Sequence, residues 1–180
     1  EVTDREGSKA LKLEGNSQFK SDAPVNLEFN RPFSFSVWVK PDGKPSGAIF
    51  SKMDDKAFYR GIDLWMEGGR IGTHIVNTWQ ANALKVVSAD VLAPGKWQHV
   101  VLSYDGSHKA AGVKIYIDGK HSENQVQADT LSATIATSQP FRIGSRSTGS
   151  NWKGEIDDLR IYDRALEGDD VVATSKGDPV

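Results

Sequence analysis

Cysteine is absent from all 180 residues. That excludes disulfides, a thiolate nucleophile, Cys-ligated zinc and thioether-attached haem. No stretch approaches the roughly 20 apolar residues of a membrane-spanning helix, so no membrane insertion is expected. A surplus of either charge is also missing: 22 Lys+Arg face 24 Asp+Glu, a formal charge of −2. A dedicated nucleic-acid partner would need a basic surplus for its phosphates. The polar opening Glu1-Val2-Thr3-Asp4-Arg5-Glu6 carries no signal-peptide pattern, and the sequence reads as a mature or excised piece. No internal repeat or low-complexity tract occurs.

What is present is a globular composition, 38% hydrophobic and 26% charged, with 17 Gly and 7 Pro to punctuate many short elements. One domain is expected at this length. About 70% of the unfolded chain's surface can be buried, enough for a core without staples. We assign residues 1–175 to a single domain and 176–180 to a linker-like tail.

Period-2 alternation dominates the chain. In Phe33 to Lys40, Phe33, Phe35, Val37 and Val39 share one face and Ser34, Ser36 and Lys40 lie opposite. Ile62, Leu64 and Met66 alternate likewise, as do Ile71, Thr73 and Ile75, and Gly68-Gly69 between the two runs predicts a tight hairpin. Val113, Ile115 and Ile117 end at Asp118-Gly119, a type I′ turn signal before Lys120. Further strands are expected at 10–13, 48–52, 84–87, 97–104, 141–143 and 156–162, with one short helical turn near 169–174. Ten or so short strands without an intervening helical period predict an all-β, two-sheet antiparallel sandwich of the jelly-roll type.

Several ordered segments resemble the laminin-G-like branch of the concanavalin A-like lectin/glucanase superfamily. They are Ala10 to Asn16, Phe33 to Pro41 with its "sWvkP" strand, Pro94 to Val100 followed by Tyr104-Asp105-Gly106, Ile115 to Gly119, and the closing run Gly154 to Leu166. The stretch Leu64 to Val87 is similar to the module embedded in large secreted bacterial proteins that elsewhere carry haem-attachment domains. The resemblance implies a concanavalin A-like fold and an extracytoplasmic setting (periplasm, cell surface or secreted), with any haem motif elsewhere in the parent chain. It does not imply a ligand, since this fold hosts lectins, glycosidases and adhesion modules.

Glycoside hydrolysis needs two carboxyl groups facing one bond. The superfamily's glucanases carry Glu-x-Asp-x-x-Glu on one strand; here Glu155-Ile156-Asp157 meets Arg160 where the second glutamate belongs. A permanent cation in place of that acid argues against catalysis, and no nucleophile elbow or phosphate loop is present. His74, His99, His108 and His121 are scattered without zinc-ligand spacing. The resemblance does imply a structural calcium held by Asp157, with Glu14 and Asn16 of the opening turn as the further oxygens. The alternative is that Asp157 and Asp158 form a bulge with a salt bridge to Arg160 or Arg164. Asp54-Asp55 is a second, weaker acidic cluster.

A binding surface on a sandwich needs aromatic faces for sugar rings and polar groups for hydroxyls. The segment His74 to Asn82 leaves a core strand for a loop with Trp79 among Asn77, Gln80 and Asn82. The predicted hairpin brings Tyr59, Arg60 and Asp63 towards His74 and Asn77, and Lys85 joins the same face. The loop Arg146 to Trp152 is a second exposed aromatic-polar mixture. In the competing reading Trp79 and Trp152 merely cap the sandwich. The expectation is a non-catalytic module that binds a glycan, or else one that packs against a neighbouring protein domain.

Overall fold

The computed structural model describes residues 2–5, 7–21, 23–178 and 180. In chain order the strands are β1 (Val2–Arg5), β2 (Ser8–Glu14), β3 (Phe19–Ser21), β4 (Phe33–Pro41), β5 (Gly47–Asp54), β6 (Arg60–Glu67) and β7 (Arg70–Thr78). They continue with β8 (Asn82–Val91), β9 (Gln98–Tyr104), β10 (Val113–Ile117), β11 (Lys120–Ser122), β12 (Asn124–Asp129), β13 (Phe141–Ile143) and β14 (Lys153–Tyr162). A 3₁₀ turn precedes β10, and a seven-residue helix α1 (Asp169–Ser175) follows β14.

The strands form two seven-stranded sheets. Sheet A runs β1-β2-β14-β4-β9-β10-β11 and sheet B runs β12-β8-β7-β6-β5-β13-β3, with every pairing antiparallel. The two glycine turns behave as the sequence predicts. Gly68 and Gly69 have φ of 59° and 85°, and Asp118 and Gly119 have 50° and 78°. Two consecutive positive φ values are what a type I′ turn requires to join twisted strands.

Alternation drives the inward residues together. Phe33, Phe35, Val37 and Val39 of sheet A meet Phe50, Ile62, Leu64, Met66, Ile71 and Ile75 of sheet B, all at most 1% exposed. Phe35, Phe50 and Phe141 form a triangle of rings, with Phe35 4.5 and 6.2 Å from the other two centroids. Each such side chain contributes about 1.5–3 kcal/mol by leaving water, the bulk of the force closing the sandwich.

The outward face of sheet A is itself partly covered. Ser34 and Ser36, on the face that alternation sets opposite the core, are themselves 0% and 1% exposed. The C-terminal segment folds back over them: Ser34 Oγ donates to Arg164 O at 2.8 Å and accepts from Leu166 N at 2.9 Å. Leu166 and Val171 then pack on Val101 and Tyr116 as a second apolar cluster. Farther along this face Arg5 lies 4.6 Å over the Trp38 ring and 6.0 Å over Trp97, with Lys40 5.9 Å from Trp97. Arg5 pairs with Asp157 and Lys40 with Glu155, so these cations tie β1 and β4 to β14. Sheet A is thus largely spoken for, and sheet B carries the open outer face.

Strands β1, β3 and β12 had no counterpart in the alternation analysis. All three are sheet edges. An edge strand buries neither face fully and is kept polar against pairing with other chains, so β12, with exposed Gln125, Val126 and Gln127, shows no alternation to read.

Candidate functional site

The site follows from strand register. Counting outward from the Gly68-Gly69 turn sets Asp63 of β6 opposite His74 of β7, and His74 stands opposite Lys85 of β8. On the other side Ser51 of β5 faces Asp63 and Arg142 of β13 faces Ser51. A polar row therefore crosses the outer face of sheet B at right angles to the strands, one residue per strand at steps of about 4.8 Å. Beside it lies an apolar row, Met53, Val76 and Ala83, roofed by Trp79. On its other flank Trp65, Gly72, Val87 and Gln125 stand in register.

Asp63 is the centre. Its side chain is 0% exposed and its oxygens are fully used: Oδ1 accepts from His74 N at 3.0 Å and His74 Nδ1 at 2.9 Å. Oδ2 accepts from Arg146 Nε at 2.7 Å and from Arg146 Nη2. Burial by itself would push this carboxyl up, but the charges and hydrogen bonds of His74 and Arg146 outweigh it and hold the group at about 2. Asp63 is therefore a fixed anion that orients two cationic or polar side chains. His74 Nδ1 faces Asp63 Oδ1 and lies 3.2 Å from Arg146 Nη2, whereas Nε2 has no hydrogen-bond partner among the described residues, on a ring that lines two adjoining cavities.

Aromatic rings surround this network. The Arg146 guanidinium lies 4.2 Å from the Trp65 ring centroid and 5.6 Å from that of Tyr59. Trp79 meets His74 edge-on with centroids 5.1 Å apart, and Lys85 Nζ stands 5.7 Å over the Trp79 ring. Such contacts add about 0.5–2 kcal/mol each and fix the rings as walls. Met53, Tyr59, His74, Val76, Trp79 and Arg146 enclose a cavity of 170 Å³. Its neighbour, 190 Å³, lies over Gly72 between Trp65, Lys85, Val87, Gln125 and Gln127. With His74 common to both, they form one groove along the sheet.

Local strain holds the rim. Phe58 and Tyr59 have φ of 54° and 60°, two successive non-glycine residues in the left-handed region. Trp79 N donates to Phe58 O at 2.9 Å, tying the two aromatic loops together. Left-handed residues of this kind cost about 1–2 kcal/mol each and persist where surrounding contacts enforce them, commonly at binding sites.

The candidates from sequence divide cleanly. Tyr59, Asp63, His74, Trp79 and Lys85 are brought together. Arg60, Asn77 and Asn82 are not: Arg60 Nε donates to Asn77 O at 3.3 Å, Asn77 Nδ2 to Thr134 O at 2.7 Å, and Asn82 Nδ2 to Ser132 Oγ at 2.9 Å. These three stand at strand ends on the other side of the alternation, where the asparagines anchor the loop after β12. The loop Arg146 to Trp152 also divides. Trp152 is 0% exposed, with Nε1 3.3 Å from Met66 Sδ, so it belongs to the core and not to an exposed mixture. Arg146 instead joins the first candidate cluster. Asp55, read as a weak acidic cluster with Asp54, explains how: Oδ2 accepts from Thr148 N at 3.0 Å and Thr148 Oγ1 at 2.5 Å, pinning the loop that carries Arg146.

The expected calcium donors are apart. Glu14 pairs in register with Lys153 and Asp157 with Trp38. Four residues of β14 separate those levels, roughly 13 Å. Glu14 is bound to Lys12 at 2.7 Å, Asn16 Oδ1 accepts from Ser17 Oγ at 3.1 Å, and Asp157 Oδ2 is taken by Arg5 at 2.7 Å. These residues do not fit a shared calcium, and no group of three or more His, Cys, Asp or Glu able to hold a metal occurs among the described residues. The bulge alternative is what forms: register shifts between Asp157 and Arg160, Asp158 has φ 49°, and Arg160 Nε meets Asp158 Oδ1 at 2.7 Å.

Two facing seven-stranded antiparallel sheets, with an ionic and aromatic groove on the outer face of one, define a concanavalin A-like sandwich. The Laminin_G_3 model, of the concanavalin A-like lectin/glucanases superfamily, matches residues 13–172, and the chain belongs to that family. It is 24% identical over 139 residues to adhesion G-protein coupled receptor V1 of Danio rerio, across 74% of this chain and 2% of that protein. The chain thus spans only a small part of that curated relative. Among solved structures it is similar to the CBM40 of Ruminococcus gnavus IT-sialidase bound to α2,3-sialyllactose, with TM-score 0.73, 15% identity, and 92% and 95% of the two chains covered. It is also similar to domain 4 of AbnA, an extracellular GH43 arabinanase of Geobacillus stearothermophilus, in complex with arabinotriose, with TM-score 0.63, 22% identity, and 97% and 80% covered. At these identities the two structures bear on the fold alone.

Proposed function

We propose that this chain is a non-catalytic recognition module that binds carbohydrate in the groove on sheet B, as part of a larger extracytoplasmic protein. One observation carries the reading: fixed aromatic walls (Tyr59, Trp65, Trp79) flank a row of oriented polar groups (His74, Lys85, Arg146) beside open space. Aromatic faces cover the apolar side of a sugar ring, and the row supplies directed hydrogen bonds to its hydroxyls. Two solved structures of similar fold are described with oligosaccharides, which is consistent with this assignment. The resemblance to modules in large secreted bacterial proteins with haem-attachment domains supports the multidomain setting.

Catalysis is not part of the proposal. Asp63 spends both oxygens on His74 and Arg146, and Glu155 spends both on Thr3 and Lys40. Neither carboxylate is left to protonate a leaving group or attack a sugar. A glycan array followed by calorimetric titration tests the assignment. The expected result is saturable binding that Tyr59→Ala weakens at least about tenfold with an unchanged melting curve, since Tyr59 is already 40% exposed. Absence of binding across the array, or binding indifferent to Tyr59→Ala and Trp79→Ala, overturns it. A protein-interaction module is the second reading, favoured by Phe58, 69% exposed on the same rim. Capture of a neighbouring domain of the parent protein, lost in Phe58→Ser, would support it.

A further inference from the structure

The groove contains more positive charge than its own acids neutralise. Arg70, Lys85 and Arg146 line it, against Asp63 and Glu67. Asp63 is committed to Arg146 and His74, while Arg70, opposite Glu67 at the turn end of the β6–β7 hairpin, donates through Nη1 to Ser88 O and Ala89 O. That leaves Lys85, on the wall of the second cavity and over the Trp79 ring that walls the first, as a cation without an acidic partner among the described residues. Its Nζ makes no hydrogen bond or ion pair among the described residues and stands over the π-face of Trp79. Among the described residues Arg146 donates through Nε and Nη2 alone, so its Nη1 retains both hydrogens for a ligand. His74 lines the same space. This local surplus sits on a chain whose net charge is −2, so it is not a reflection of overall composition.

Resting on the carbohydrate reading above, we infer that the ligand is an acidic saccharide whose sugar carboxylate is received between Lys85 and Arg146. A neutral sugar would leave Lys85 Nζ and Arg146 Nη1 partly desolvated beside Trp79 and Tyr59 without an acceptor of matching charge. A carboxylate meets both donors, and the charge-assisted bonds it forms are about twice as strong as neutral ones. The ring carrying it then stacks on Trp79 or Tyr59, with His74 Nε2 free for a hydroxyl. Lys85 sits on β8, paired on both sides by β12 and β7, and Arg146 on a pinned loop, so both donors are placed before the ligand arrives.

The test uses matched pairs on the intact module: oligogalacturonate, oligoglucuronate and 3′-sialyllactose, each titrated alongside its carboxyl-reduced neutral counterpart. Sulfated galactan is included to separate carboxylate from anion recognition in general. The expected result is that one acid binds at least about tenfold more tightly than its neutral partner, and that this preference weakens as salt is raised. Lys85→Met is expected to erase the preference while leaving the melting curve in place. Equal binding of acid and neutral members overturns the charge assignment and leaves the carbohydrate reading intact. Tighter binding of the sulfated chain than of any carboxylate overturns the carboxylate as the anion. Binding of no saccharide overturns both readings.

Discussion

Replacing Asp63 by asparagine keeps the side-chain shape and removes the one negative charge under Arg146. The carboxylate is 0% exposed, and the guanidinium it pairs with is 11% exposed. Deleting one member of a buried pair costs about 3–5 kcal/mol, because the other charge stays behind uncompensated. For a domain of this size that corresponds to a fall in melting temperature of about 6–20 °C. Arg146→Met removes the other member and leaves Asp63 with His74 alone. In the double variant Asp63→Asn/Arg146→Met neither charge remains, and methionine fills the space under Trp65 with apolar atoms. Such replacements are close to neutral or stabilising. The double variant should therefore be more stable than Asp63→Asn alone, with a coupling of about 2 kcal/mol by urea unfolding. Additive single effects, or a loss below about 1 kcal/mol for Asp63→Asn, would refute the argument that this ion pair organises the groove.

His99 gives a pH prediction. Its ring is buried beside Trp38, Nδ1 has no hydrogen-bond partner, and burial pushes its pKa down from 6.5 to about 4, against the pull of Asp118 and Asp158 and with the help of Arg5 and Arg160. The unfolded chain takes up this proton first, so stability is full above pH 6.5 and is lost as pH falls towards 4, by at most about 3 kcal/mol at ~1.4 kcal/mol per tenfold change in proton affinity. Urea midpoints between pH 7 and 4.5 should decline more in the wild type than in His99→Phe, and parallel slopes would disprove it. Gly72→Leu is expected to block the second cavity, since even a Cβ there would sit 3.1 Å from Val86 O and 3.2 Å from Val87 Cγ2. Saccharide affinity should fall more than about tenfold in titration, while far-ultraviolet dichroism retains the β signature; full affinity would move the ligand off this part of the sheet.

The sandwich was legible because its inner strands are buried on one face, so hydrophobicity alternates along β4, β6, β7 and β10. The Asp63–His74 pairing was legible for the same reason, since the Gly68-Gly69 turn fixes register without further information. The edge strands β1, β3 and β12 escaped because an edge obeys no such alternation. Arg146 could not be assigned to the cluster, because it lies 83 positions beyond Asp63 and reaches it only through the strand order of sheet B. Arg60, Asn77 and Asn82 were drawn in by proximity along the chain, while the pleat sends them elsewhere. Glu14 and Asp157 stand at different levels on the same ground, since two antiparallel neighbours share a level only where register says so.

The division of β6 and β7 into inward and outward residues leaves the two demands on this domain almost independent. Ile62, Leu64, Met66, Ile71 and Ile75 answer to folding, while Asp63, Trp65, Gly72 and His74 answer to whatever settles above them. The rim residues that finish the groove, Tyr59, Trp79 and Arg146, sit on three short loops outside that framework. New selectivity can therefore be grafted by exchanging those loops on an unaltered platform, which makes this face a natural starting point for engineered glycan readers.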